Sequence, residues 1–146
     1  MTSKLLDATG QKTFALVFGK DDEAMAGLAL FAKQERLGAA HFTAIGAFSE
    51  VELGYFEPHR KDYKRMLVSE QVEVLSLIGD IALDSAGAPK VHAHVVVGRS
   101  DGSTRGGHLL AGRVWPTLEV ILVESPTFLR KRFDAESGLA LIDPAA

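Results

Sequence analysis

Alternating apolar and polar residues dominate this chain, and the pattern predicts a protein built mainly from β-strands. Between Lys12 and Phe18, the residues Phe14, Leu16 and Phe18 share one face of a strand. Similar short runs continue after Gly38 almost to the end. They cover residues 39–45, 49–56, 63–69, 72–78, 80–83, 91–98, 106–112 and 118–124. Residues 128–142 are mixed in charge, and their pattern favours no single element.

One segment instead follows a helical period. Asp21, Asp22 and Glu23 are suited to the start of a helix, because acidic side chains there cap free N–H groups and complement the helix dipole. Gly38 is suited to its end. The predicted apolar stripe consists of Met25, Leu28, Phe31 and Ala32. The sequence therefore predicts an α+β fold, with a largely antiparallel sheet of seven or eight strands and one main helix packed on it.

Length and composition limit the organisation of the chain. Its 146 residues, 47% of them hydrophobic, predict one globular domain. We expect a flexible leader at residues 1–10, the domain at residues 11–142 and a tail at residues 143–146. The start lacks the apolar run of a secretion signal, and no stretch reaches membrane-spanning length, so a cytoplasmic location without membrane contact is expected.

Charge and cysteine content narrow the chemistry further. The chain has no cysteine, which excludes disulfides and thiol catalysis and leaves only nitrogen and oxygen as metal ligands. The net charge of −3 disfavours nucleic-acid binding by this chain alone, because phosphate contacts depend on clustered Lys and Arg. Two basic clusters, at residues 60–65 and 130–132, are interpreted as solvated charged faces diluted by acidic neighbours.

The candidate chemistry lies in three histidines. His92 and His94 are two residues apart, so on a strand both side chains point to one face, while Ala93 lies on the other. Residues 100–103 have turn-forming composition, and a reversal there would return His108 beside the first two. Three imidazoles with a fourth position free for water are typical of an open zinc site. Gly106 and Gly107 would permit close backbone approach or a bulge that turns His108 inward.

Alternative interpretations of this pattern stay open. The histidines could be ordinary polar residues on a half-exposed sheet, and histidine clusters also serve as proton switches. Neutral imidazole binds nickel, copper and iron as well as zinc. Two acidic residues, Asp101 and Glu119, are candidates to accept a hydrogen bond from a ligand histidine, although Glu119 equally fits an outward-facing position. Glu119 and Arg105 are the candidate catalytic residues, which would orient a substrate.

Several short motifs occur in an order that resembles the PPC (plants and prokaryotes conserved) domain family, also called DUF296. The resemblance extends from about residue 13 to residue 141. The motifs are Glu73–Gly79, Gly87-x-Pro89-x-x-His92-x-His94, Asp101-Gly102, Gly106-Gly107-His108-Leu109 and Thr117–Val120, followed by Phe128-x-Arg130, Phe133-Asp134 and Gly138-Leu139.

The resemblance implies a homotrimer of mainly antiparallel sheet domains. It also implies a metal site, as in some prokaryotic members, with His92, His94 and His108 at the matching positions. The fold of the family is similar to that of acetolactate decarboxylase, which uses three histidines to hold zinc. Plant members carry additional AT-hook segments that bind DNA, and this chain has no Arg-Gly-Arg-Pro hook.

Two functions are therefore expected, in this order. The first is a trimeric domain that holds zinc or another divalent metal and binds or transforms a small molecule, with metal-dependent lyase or hydrolase chemistry as one option. The second is a DNA-binding or regulatory protein of the same family without an AT-hook. A pure assembly module is a third alternative.

Overall fold

The computed structural model describes residues 1–7 and 10–145, without the side chains of residues 5–7. Within these residues it contains one helix and nine strands, which confirms the α+β prediction. The elements are β1 (Thr2–Asp7), β2 (Thr13–Phe18), α1 (Ala24–Gln34), β3 (Ala39–Glu57), β4 (Asp62–Val68), β5 (Val72–Leu83), β6 (Pro89–Gly98), β7 (Thr104–Glu124), β8 (Arg130–Phe133) and β9 (Ala140–Asp143).

All nine strands belong to one sheet that coils on itself. β7 pairs antiparallel with β2, β3 and β6, whereas β5 pairs antiparallel with β3 and β6. The pairings β3–β5–β6–β7–β3 therefore form a closed circuit. β4 extends β3 as a hairpin, and β8 joins β5 through the one parallel contact among the described strands. As a result β6, which carries two of the histidines, is bonded on both sides.

Three strands are longer than the sequence pattern predicts. The expected breaks at Gly46 and Gly79 lie inside β3 and β5, and the expected gap at residues 113–117 lies inside β7. At Gly46 the backbone has φ 149° and the register with both neighbouring strands shifts, so the residue forms a bulge rather than a turn. A side chain there would collide with the Thr117 carbonyl oxygen. The bulge at Gly46 bends β3 and lets it follow the core.

The two ends of the chain are more ordered than the sequence predicts. We expected a leader at residues 1–10, but Thr2–Asp7 forms the edge strand β1 against β2. Residues 8 and 9 lie outside the described part. The ambiguous segment 128–142 contributes β8 and β9, which form an antiparallel hairpin. Asp143, assigned to the tail, is the last residue of β9, and residue 146 is not described.

The helix begins where the acidic cluster predicts. Glu23 is its N-cap, accepting hydrogen bonds from the backbone N–H groups of Met25 at 3.2 Å and Ala26 at 2.6 Å. The prediction that Gly38 ends the helix is wrong, since α1 stops at Gln34 and Arg36 adopts the left-handed conformation at φ 55°. The next residue, Leu37, is fully buried and donates its backbone N–H to the Ala32 carbonyl oxygen at 2.9 Å, which closes the helix end.

The core lies between α1 and the inner face of the coiled sheet. It includes the predicted strand faces, among them Leu118, Val120 and Leu122 of β7, and the predicted helix residues Leu28, Phe31 and Ala32. The rings of Phe14 and Phe31 pack edge to face with centroids 5.1 Å apart. Within the described residues no helix has both the length and the apolar character needed to cross a membrane.

Candidate metal centre

The sheet brings the three predicted histidines together. Ala93, Val95 and Val97 of β6 are buried in the core, so the alternation of the strand turns His92 and His94 outward, as predicted. β6 and β7 form the expected hairpin, in which His94 lies directly opposite His108. Directly paired residues point to the same face, which places all three imidazoles on one surface.

The distances between the rings allow one ion to be shared. Ring centroids are 5.1 Å apart for His92 with either partner and 5.4 Å apart for His94 and His108. Each ring offers a nitrogen, and these three atoms lie within 4.8 Å of one another. The Nε2 atoms of His92 and His94 are 3.2 Å apart. Tetrahedral zinc with bonds of about 2.0 Å separates its ligands by about 3.3 Å, so this pair is already suitably spaced.

Two features of the imidazoles favour a ligand role. Nδ1 of His108 is buried and has no hydrogen-bond partner. A buried polar atom without a partner is costly unless something absent from the polypeptide satisfies it. Burial, with the charges of His92, His94 and Lys131, lowers the pKa of His108 to about 4. Burial and the neighbouring His92 also lower the pKa of His94. Both rings are therefore neutral near pH 7, which is the form that binds metals.

The carboxylate of Asp80 contacts the histidine cluster through His92. Asp80 of β5 lies opposite His92 in the sheet, and its Oδ2 is 3.3 Å from His92 Nδ1. This contact leaves His92 Nε2 directed at His94, which is the arrangement common for metal-bound histidines. Desolvation raises the pKa of Asp80, but the hydrogen bond with His92 and the charge of Lys131 outweigh it and lower the pKa overall. Asp80 is therefore an ionised acceptor.

Lys131 of β8 completes this polar chain. Its Nζ lies 3.5 Å from Asp80 Oδ1, and only 8% of its side chain is exposed. Asp80 Oδ1 has no well-formed hydrogen bond, so the contact with Lys131 is an ion pair without good hydrogen-bond geometry. The order from the cluster outward is thus histidine, carboxylate and ammonium.

Glycines and an aromatic ring position His108. A side chain on Gly107 would lie 2.7 Å from the Gly54 carbonyl oxygen, so only glycine permits the observed approach of β7 to β3. This confirms the close backbone approach predicted for this segment. Tyr63 of β4 stacks on the His108 ring with centroids 4.5 Å apart and fixes its plane. Burial raises the pKa of Tyr63, so the phenol is protonated.

A cavity of about 470 Å³ opens beside the cluster. Its lining includes the polar side chains of His92, His108, Asp80 and Lys131, together with Tyr63, Val91 and residues 139–142. A larger cavity of about 650 Å³ lies next to the end of α1, with mainly apolar walls and the basic side chains of Lys33 and Arg36. The cavity beside the histidines is the candidate site, because converging groups with shifted pKa values are typical of a functional site.

The structure places the other predicted candidates away from the cluster. Glu119 is exposed and lies eleven residues from His108, about 36 Å of strand at the usual rise. Arg105 lies opposite Val97, a core residue, and therefore belongs to the opposite face of the sheet. Asp101 accepts hydrogen bonds within its own turn, from Ser103. The carboxylate that contacts a histidine is Asp80 instead.

The sequence pattern does not single out Asp80, Lys131 or Tyr63. One signal was available for Asp80, because it begins a predicted strand whose other residues are apolar, and aspartate is uncommon in strands. Lys131 and Tyr63 belong to segments interpreted as a solvated charged face. Only the pairing of distant strands shows that Tyr63 contacts His108 and that Lys131 contacts Asp80.

Comparison with known proteins agrees with this fold. A PPC protein from Pyrococcus horikoshii is 30% identical, with a TM-score of 0.84 over 97% of this chain and 94% of that chain. A protein from Archaeoglobus fulgidus described as metal-containing is 28% identical, with a TM-score of 0.82 over 97% and 98%. A protein from Ralstonia eutropha JMP134 described as a candidate DNA-binding protein is 27% identical, with a TM-score of 0.83 over 89% and 90%.

Two further matches are either low in sequence identity or restricted to a small part of the matched protein. A Staphylococcus aureus protein described as similar to α-acetolactate decarboxylase shares the fold, at 13% identity and a TM-score of 0.56 over 87% of this chain and 55% of that chain. The bifunctional protein GlmU of Synechococcus sp. strain JA-3-3Ab is 35% identical over 97 residues, but this chain spans only 14% of its length. The sequence pattern of the Plants and Prokaryotes Conserved (PCC) domain matches residues 6–126. The chain therefore belongs to the Plants and Prokaryotes Conserved domain family.

Proposed function

We propose that this chain is a metal-binding domain in which His92, His94 and His108 hold one divalent ion, with zinc as the first candidate. The observation that carries the proposal is the convergence of three imidazole nitrogens on one surface, with Asp80 behind them. Three nitrogen ligands leave one tetrahedral position open, as in catalytic rather than structural zinc sites. The metal-containing relative from A. fulgidus supports the proposal.

The adjoining cavity provides space for a ligand at the open metal position. A zinc ion bound here would polarise a carbonyl group or lower the pKa of a bound water. The chain's own groups would hold the ion, restrict the orientation of His92 through Asp80 and exclude water along the apolar wall. We accordingly propose that the loaded site binds or transforms a small molecule.

The test is an elemental analysis of untagged protein. We expect about one zinc or other transition-metal ion per chain, lost in His92→Ala and His108→Ala. The matched control is His41→Ala, because His41 is an exposed strand residue outside the cluster. Protein that stays metal-free after incubation with zinc, nickel, copper, iron and cobalt would contradict the proposal.

We also propose that the chain forms a homotrimer through the outward face of the sheet. Ile45 and Ile78 are 62% and 56% exposed, and Ile121 is also exposed. Cross-strand pairs connect this face to the histidines. Thr43 of β3 is paired with Ile121 of β7 and with Ile78 of β5. Ile78 is paired in turn with His94 of β6, which lies opposite His108 of β7. A continuous exposed apolar surface is typical of an interaction site. Sedimentation of the native protein tests this, and a monomer at micromolar concentration would contradict it.

DNA binding is the second candidate function. It is favoured by the description of the R. eutropha relative. Lys61 of the first basic cluster donates from Nζ to the carbonyl oxygen of Ala135 at 2.6 Å, three residues beyond the second cluster. Ion pairs of Arg60 with Glu57 and Arg65 with Glu52 reduce their positive charge. Salt-dependent retardation of duplex DNA would support this function, and no retardation at low salt would exclude it.

A further inference from the structure

The cavity beside the histidines is lined by both polar and apolar side chains. Val91 and Leu141 are among its apolar lining residues, while Lys131, His92 and His108 are among its polar ones. A ligand that fills it must therefore combine a polar head with a short apolar body.

Lys131 is the unusual member of the polar part. Only 8% of its side chain is exposed. Burying an ammonium group is costly unless the group is paired with an opposite charge. An ammonium has three N–H donors, and the contact with Asp80 at 3.5 Å is its one ion pair among the described residues. Asp80 is shared with His92, so it satisfies Lys131 only in part. The ammonium has donors available to a ligand in the cavity.

The charges of the pocket point to the sign of that ligand. Imidazoles bind a metal as neutral groups, so a divalent ion held by three of them keeps its full double charge. Asp80 and Lys131 cancel each other. Because the polar lining of the cavity would then carry excess positive charge, an anion is favoured over a neutral or cationic ligand.

We propose that Lys131 is an anion-binding residue and that this cavity takes a small organic carboxylate. The carboxylate group lies between the ammonium and the three-histidine site, and its aliphatic part lies against Val91 and Leu141. The proposal rests on the metal site proposed above and names the class of small molecule that it serves. In the sequence, Lys131 is only one of the basic residues at positions 130–132, which are interpreted as a solvated charged face.

The experiment measures carboxylate binding to zinc-loaded protein by calorimetry, with acetate, butyrate and hexanoate as probes and butanol and hexanol as neutral controls. We expect the carboxylates to bind and the alcohols not to bind at equal concentration. Each added CH₂ that reaches the apolar wall is expected to tighten binding about fourfold. Affinity that is independent of both charge and chain length would overturn the proposal.

Variants separate Lys131 from the metal. Lys131→Met should weaken butyrate binding at least tenfold, while zinc content and the melting temperature are measured in parallel. Lys131→Arg keeps the charge and should retain most of the affinity. The matched control is Lys90→Met, since Lys90 is paired with Asp84 and 60% exposed. Unchanged butyrate affinity in zinc-loaded Lys131→Met would overturn the proposal, even if zinc binding is normal.

The measurement of zinc uptake and the measurement of butyrate binding by the Lys131 variants give independent results. If wild-type protein takes up no metal, the proposed function fails. Butyrate binding to that metal-free protein, lost in Lys131→Met and kept in Lys131→Arg, would still establish the anion pocket. If Lys131→Met does not fold, the comparison of Lys131→Arg with wild type across the carboxylate and alcohol series decides, because equal binding of both series by both proteins rejects a carboxylate pocket.

Discussion

Acidification should destabilise the metal-free protein through His108. The folded chain holds the pKa of this ring at about 4, against an ordinary value of 6.5, because the ring is buried beside other positive groups. Between these two values the unfolded chain binds a proton and the folded chain does not. Stability is therefore highest above pH 6.5 and falls as the pH is lowered toward 4.

The magnitude follows from the same values. One pKa unit corresponds to about 1.36 kcal/mol, so the fall between pH 6.5 and 5 is about 2 kcal/mol as an upper value. The ring borders an open cavity, and solvent screening reduces this to about 1 kcal/mol. His108→Asn removes the titration while keeping a polar side chain, so its free energy of unfolding should depend less on pH by about this amount.

Urea unfolding at pH 7, 6 and 5, in the presence of a chelator, measures the effect. The comparison is the loss of stability between pH 7 and 5 in wild type and in His108→Asn. His59→Asn is the control, because this histidine is exposed and lies outside the cluster. If His108→Asn loses as much stability on acidification as wild type, the buried ring is not the cause and the reasoning is refuted.

Three further predictions concern the support of the site and the outer face. Asp80→Asn should weaken zinc affinity about 10-fold to 100-fold, because the amide orients His92 less firmly. Chelator competition measures this, with Asp84→Asn as the control, because Asp84 follows the end of β5 and is not among the residues that line the cavity. Gly107→Ala should lower the free energy of unfolding by about 1–3 kcal/mol, since the added methyl group meets the Gly54 carbonyl oxygen at 2.7 Å; a melting temperature equal to wild type would contradict the close approach. Ile45→Glu should shift the protein toward monomer at equal concentration, because it places a charge on the exposed apolar face. An unchanged sedimentation profile for Ile45→Glu would exclude this face as the interface.

The sequence predicts which face of each strand is buried more reliably than which strands are neighbours. The alternation around Ala93 and Val95 is local, and it correctly directs His92 and His94 outward. The hairpin to His108 is also local, because the turn between β6 and β7 is short. The order and spacing of the motifs add the family, and with it the overall fold.

The positions of Asp80 and Lys131 depend on how strands that are distant in the sequence align with one another. Asp80 reaches His92 only because β5 pairs with β6 in one particular alignment, and Lys131 arrives through the parallel contact of β8 with β5. Neither alignment leaves a periodic trace in the sequence. Glycine was misleading for a related reason: at Gly46 it marks a bulge that bends a strand, yet the same residue type also marks turns.

The central place of β7 has a consequence for how the molecule reaches its native state. This strand pairs with β2, β3 and β6, so the ring of strands closes only when a segment near the carboxyl end meets partners far earlier in the chain. Such non-local pairings must pay their loop-closure entropy before they gain stability, which slows folding. Until β7 docks, β2 and β3 expose unpaired edges and apolar faces, and newly synthesised chains are most vulnerable to aggregation during that interval.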